Sequence, residues 1–155
     1  MCIRDSCCSV NASGTITFQF LNTPFRLAQR ADVRSWIQDC ARANGHTIGE
    51  LNFLFTNDEE MLSLNRKHLD HDYYTDILTF PTPSAHGLTA DIVISIDRTR
   101  DNAKHLNSSP LDELHRVMAH GVLHLTGMQD DTSQSKAEMR RAEDHWLEQR
   151  TFLTS

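Results

Sequence analysis

The segment from Ser109 to Gly127 constrains this chain more than any other. Ser109-Pro110-Leu111-Asp112 reads as a helix start. A serine hydroxyl can cap free N–H groups, proline's fixed φ suits the first helical position, and an aspartate in the first turn complements the helix dipole. Leu114, Val117, Met118, Val122 and Leu125 then recur at helical spacing. Gly127 offers the left-handed conformation that ends a helix. On such a helix His120 and His124 lie one turn apart on one face, with Cβ atoms roughly 5–6 Å apart. Both imidazoles can then reach one divalent ion. Beyond Gly127 the chain can turn back and bring Asp130 to the same ion, with Asp131 as the rival for that role. Three protein ligands leave one tetrahedral position of a zinc ion open, the arrangement of a catalytic rather than a structural site.

Peptidase zinc motifs read H-E-x-x-H, with the glutamate as general base. Here Gly121 stands in the glutamate position. It has no base to offer, which disfavours a metallopeptidase. The 155 residues suffice for one domain with a real core. The net charge of -6 argues against a uniformly basic RNA-coating protein, although a local basic groove stays open. No apolar run approaches the ~20 residues needed to span a bilayer. Met1-Cys-Ile-Arg-Asp-Ser6 looks like adapter read-through rather than a natural start, and it lacks the apolar segment of a signal peptide. Residues 1–9 are therefore expected to be an adapter-derived or disordered extension, and 10–155 the functional domain. Cys40 is then the one cysteine inside the domain. A disulfide framework and a cysteine-based zinc site are both disfavoured, which fits a cytoplasmic protein.

The remaining elements follow from periodicity. Ile16, Phe18 and Phe20 alternate with polar residues, as in a strand. Leu27, Val33, Trp36, Ile37 and Cys40 predict a helix from about Arg26 to Ala43, ended by Asn44-Gly45. Leu51–Phe55, Ile77–Phe80 and Ala90–Ile96 read as further strands, the last apolar enough to be central. Asn57 or Asp58 can cap a helix carrying Met61, Leu62 and Leu64. Short helices are expected from Asp97 to about Leu106 and from about Ser133 to Leu147. The order β-α-β-α-β-β-α-α-α predicts one α/β (α+β) domain. It has a small four-stranded mixed sheet covered by about five helices, with the histidine helix near the C-terminus.

Three stretches carry a family resemblance. His120-Gly-Val-Leu-His-Leu-Thr-Gly-Met-Gln-Asp130 resembles the zinc motif H-G-x-L-H-L-x-G-Y-D-H of the YbeY endoribonucleases, the rRNA maturation factors of bacteria. Leu64-Asn65 followed by Tyr74-Thr75-Asp76-Ile-Leu-Thr-Phe80-Pro81 is similar to that family's L-N-x-x-Y-R…T-D-V-L-S-F-P. Ala90-Asp91-Ile-Val-Ile-Ser95 is similar to its G-D-I-x-I-S strand. The resemblance spans about residues 50 to 147. It implies one zinc per chain on His120, His124 and Asp130, and cleavage of single-stranded RNA in 16S rRNA 3′-end processing. It also implies the ribosomal small subunit or its assembly factors as partners, with no DNA and no membrane. Zinc and nickel, and water and the RNA 2′-hydroxyl as nucleophile, stay open at this point.

The chain departs from the family pattern at three positions. Asp130 replaces the usual histidine, Met128 the usual tyrosine, and Leu69 an arginine associated with cleavage. An acidic ligand partly neutralises the ion, so some cation must stabilise the reacting phosphate. Arg66 and Lys67 are the nearest replacements. Arg98, Arg100, Lys104 and His105 form a second basic run that reads more simply as surface charge. Asp76 and Asp91 are expected to serve structure, and His68, His71 and His86 to lie in loops or on the surface. Asp144 and His145 are expected on a solvated face, and Trp36 and Trp146 in the core. His115 lies five residues before His120, about 140° round the helix, so it should not join the same metal. A non-catalytic ribosome-assembly factor with a structural zinc is the main alternative, favoured by the absent arginine.

Overall fold

The computed structural model describes residues 14–69 and 75–153, with only the backbone of Leu69. The expected extension, residues 1–9, lies outside the described residues, as do His71 and Tyr74. Four strands and five helices follow in chain order: β1 (Thr15–Phe20), α1 (Arg30–Ala43), β2 (Ile48–Thr56), α2 (Asp58–Leu69), β3 (Ile77–Pro81), β4 (Leu88–Ser95), α3 (Ile96–Leu106), α4 (Pro110–Leu125) and α5 (Ser133–Glu148). A 3₁₀ turn at Thr151–Leu153 closes the described chain. The sheet order is β1-β2-β4-β3. The first two pairings are parallel and β3 pairs with β4 antiparallel, so the sheet is mixed as predicted.

Alternation along the strands sorts side chains to the two faces. Leu51, Phe53, Phe55, Ile92 and Ile94 are fully buried against Val33, Trp36 and Ile37 of α1, Val117 and Met118 of α4, and Met139 and Trp146 of α5. The opposite face packs Leu78 and Val93 under Met61 of α2. β4 is interior, as its run of apolar residues requires. β1 is the edge. Its half-buried Phe18 and Phe20 are roofed by arginines, with Arg34 and Arg30 guanidiniums about 5 Å from the ring centroids. Such cation–π contacts cover apolar edge surface while keeping the charge in water.

Helix α1 starts at Arg30, not at Arg26. Gln29 has φ 56°, in the left-handed region, and the helix cannot extend back through it. Leu27 is nevertheless buried, so the apolar spacing that suggests helix there reflects core packing of an irregular segment. The other helix starts follow the sequence. The Asn57 carboxamide oxygen accepts from the Glu60 N–H at 2.9 Å, and Ser109 Oγ accepts from the Asp112 N–H at 3.0 Å. Arg98, the first of the second basic run, is committed to structure. It donates to both carboxylate oxygens of Asp58 at 3.1 Å and ties α3 to α2.

His115 faces the interior of α4's packing, away from His120. Its ring is 1% exposed and lies among Trp36 and Phe152. Nδ1 is 2.9 Å from Arg150 Nη1, which can only donate, so the imidazole is neutral with its proton on Nε2. Burial, and then the Arg150 charge, push its pKa down to about 4, with Asp112 opposing. A folded-state pKa below the unfolded value near 6.5 means that this contribution is fully present above pH 6.5 and is lost as pH falls toward 4. Its full size is about 3 kcal/mol, at ~1.4 kcal/mol per pKa unit. The free energy of unfolding should fall between pH 6.5 and 4, and His115→Phe should flatten that slope in denaturant titrations. An unchanged slope in the variant would assign acid lability to other groups.

Candidate metal centre

The end of α4 builds the site. Gly127 takes φ 107° and closes the helix with two bonds: its own N–H to the His124 carbonyl at 3.0 Å, and the Met128 N–H to the Leu123 carbonyl at 3.3 Å. This pairing is a Schellman motif, and it needs a residue at ease with positive φ. The turn also places the Met128 carbonyl 2.9 Å from His124 Nδ1. A carbonyl only accepts, so His124 carries its proton on Nδ1 and presents the Nε2 lone pair.

His120 is set the same way by a carboxylate. Glu143 Oε2 lies 2.6 Å from its Nδ1, and Glu143 is itself held by Arg116 at 3.1 Å. The two rings stand nearly perpendicular with centroids 4.5 Å apart. Asp130 Oδ2 comes to 3.3 Å from His120 Nε2 and 3.5 Å from His124 Nε2. One donor atom from each of the three residues falls within 4.8 Å of the others. Two Nε2 lone pairs and a carboxylate oxygen converging on one point fit a divalent ion bound by nitrogen and oxygen, such as zinc. Asp131 is used elsewhere: its Oδ1 accepts from the Ser135 hydroxyl at 3.3 Å, at the start of α5. The residues brought together are therefore His120, His124 and Asp130, not Asp131.

A cavity of about 270 Å³ opens beside His120 and Asp130. Its cations are Arg116 of α4 and Lys136 and Arg140 of α5. Arg66 and Lys67 are exposed on α2 and are not in this wall, and the Leu69 side chain lies outside the described residues. Asp76 reaches the cavity as well as serving structure. Its carbonyl accepts from the Ser95 N–H and its carboxylate from the Asn102 amide at 3.1 Å. Burial raises its pKa, against the lowering influence of His120 and of hydrogen bonds from the Asp76 backbone, the Asn102 side chain and the Ile77 backbone. His120 behaves oppositely. Burial disfavours its protonation, yet Glu143, Asp130 and Asp76 outweigh burial, and its pKa is raised. Those acceptors favour any positive charge placed on or beside the ring.

Sequence reading missed Glu143 and Arg116. The signal existed: Met139, Glu143 and Trp146 share the buried stripe of α5, and a charged residue on an apolar stripe needs a partner. Asp144 is exposed but not merely solvated, because it accepts from Arg116 Nη2 at 2.6 Å. His68 and His86 are exposed, and both tryptophans are in the core, as expected. Gly121 has a packing reason. A Cβ there would lie 2.8 Å from Ile77 Cδ1, so position 121 faces the sheet and not the metal centre. Replacing Glu143 by Gln keeps the shape but removes the carboxylate. Metal affinity should drop about 10–100-fold, the usual cost of losing a group that orients a metal-binding histidine. A competition titration with a chromophoric chelator would measure it, and an unchanged affinity would show that His120 needs no such support.

Fold and site together define a class: a small α/β protein whose histidine helix and following turn can hold one divalent ion against an open cavity. Residues 21–151 match the family model described as Endoribonuclease YbeY. The chain is 49% identical to the endoribonuclease YbeY of Cytophaga hutchinsonii, over 89% of this chain and 97% of that protein. It is 37% identical to the endoribonuclease YbeY of Bacteroides thetaiotaomicron, over 87% and 98%. The solution structure of TM1509 from Thermotoga maritima superposes with a TM-score of 0.60 at 23% identity, covering 87% of this chain and 88% of that one, which shows the shared fold. The chain belongs to the YbeY endoribonuclease family.

Proposed function

We propose that this protein is a zinc-dependent endoribonuclease that cleaves single-stranded RNA, acting in 16S rRNA 3′-end processing and ribosome maturation in the cytoplasm. The observation that carries the reading is the convergence of His120, His124 and Asp130 on one point at the rim of a cavity, in a chain of this family. The ion, when bound, supplies a Lewis acid to a phosphoryl oxygen. The chain's own part is positional. Glu143 and the Met128 carbonyl hold the two Nε2 atoms toward the ion, and the Gly127 turn sets the distance of Asp130. Among the described residues no helix is long and apolar enough to cross a membrane.

The metallopeptidase alternative has no support at position 121, which is turned into the sheet. The assembly-factor alternative rests on Leu69 in the place of the family's arginine. Incubating the pure protein with single-stranded RNA and with casein, with and without a chelator, separates the readings. RNA should be cut, the cutting should stop on chelation and return with zinc, and casein should stay intact. RNA left intact by zinc-loaded protein would overturn the nuclease reading in favour of an assembly role. Arg66 and Lys67, exposed near the end of α2, belong to this reading as contacts to flanking RNA, and Leu69→Arg should raise the rate without changing zinc content.

A further inference from the structure

We infer that Lys136 and Arg140 form a clamp for one or two RNA phosphates beside the metal centre, in place of the arginine that Leu69 replaces. The inference rests on the nuclease reading above. Both side chains line the same cavity as His120 and Asp130. They are one helical turn apart on α5, so their charged groups sweep one strip of the wall. Both are exposed, and neither makes an ion pair within the described residues. The third cation of the wall is already engaged. Arg116 binds Glu143 at 3.1 Å and Asp144 at 2.6 Å, which fixes it as a support for His120.

Physical need and placement agree. Carboxylates outnumber cations in the wall, and Asp130 lowers the charge of any ion it binds. A phosphodiester approaching that ion therefore needs mobile cations at the rim. Lysine and arginine on a helix surface supply them, arginine with a fork matched to two phosphate oxygens. The Met139 side chain between them is buried in the core and anchors this stretch of α5. The clamp therefore keeps a fixed distance from Glu143, one turn further along, and through it from His120.

The test uses the zinc-loaded full chain and a fluorescent 2′-O-methyl single-stranded RNA as the binding probe, with unmodified RNA for cleavage. The variants are Lys136→Gln with Arg140→Gln, Arg140→Lys, and Arg66→Gln with Lys67→Gln. Neutralising one cation that binds a phosphate should lower the slope of log affinity against log salt by about 0.7. The Lys136/Arg140 double variant should therefore show a slope lower by about 0.7 if the pair holds one phosphate and by about 1.4 if it holds two. It should also raise KM severalfold and keep its zinc and its Tm. Arg140→Lys should keep most of the parent's salt slope, because the charge is kept. An unchanged slope in the double variant, with the parent binding normally, overturns the clamp. A loss confined to the Arg66/Lys67 variant also overturns it and moves the phosphate site to α2. A parent that neither binds nor cuts RNA defeats the nuclease reading itself, a result distinct from either of these.

Discussion

A His124→Ala protein should retain almost no zinc, against about one equivalent in the parent. Its affinity should fall by more than ~100-fold, beyond the usual penalty for losing only a supporting partner of a metal ligand. The reason is geometric. Among the described residues the site has three candidate protein donors, and His124 Nε2 is the one aimed by the Schellman turn through the Met128 carbonyl. Asp130→Ala should lose metal comparably, because Asp130 Oδ2 is the atom within 3.5 Å of both imidazoles. Asp131→Ala should keep its zinc and lose only a hydrogen bond to Ser135. Elemental analysis after gel filtration measures all three. If Asp131→Ala empties the site while Asp130→Ala does not, the third ligand is Asp131 and the turn after Gly127 runs one residue further.

The second large effect lies away from the metal. Trp146→Ala should cost about 3–5 kcal/mol, the range for removing a large buried aromatic side chain. Trp146 is 1% exposed and meets Trp36 edge-on, with ring centroids 6.4 Å apart. Its backbone carbonyl accepts from Trp36 Nε1 at 2.7 Å, and alanine would keep that bond, so the loss is one of packing. For a chain of this size the expected fall in Tm is about 10 °C, at ~2–4 °C per kcal/mol. Helix α5 also carries Glu143, Lys136 and Arg140. Loosening its anchor should therefore weaken zinc binding as well, by way of His120. A fall in Tm under about 2 °C would show that α5 is held by other contacts.

The order of elements, the caps at Asn57 and Ser109, the glycine stop at Gly127 and the two histidines on one helical face are legible in the sequence because each is local. Each depends on residues within a turn or two, where 3.6-residue periodicity, the acceptor chemistry of asparagine and serine, and glycine's tolerance of positive φ act directly. The start of α1 is not legible, because Leu27 is buried without being helical, and burial alone leaves the same mark on a sequence in either case. The family register points to Asp130 rather than Asp131, but local chemistry does not separate two adjacent aspartates; the path of the turn is what brings the Asp130 carboxylate to the imidazoles. The same holds for the tautomers. Glu143 is 23 residues from His120 in sequence, and packing of α5 on α4 alone brings its carboxylate to Nδ1. Tertiary structure also places the cavity's cations on α4 and α5 rather than α2. A charge on an exposed helix face looks alike in any sequence, and what distinguishes Lys136 and Arg140 is the wall they share with the metal ligands. The sequence by itself thus determined the candidates: two histidines on one helical face and a pair of carboxylates just past the glycine stop. The fold decided which atoms face the ion and which charges stand beside it, because those depend on distances between segments that the chain order does not encode.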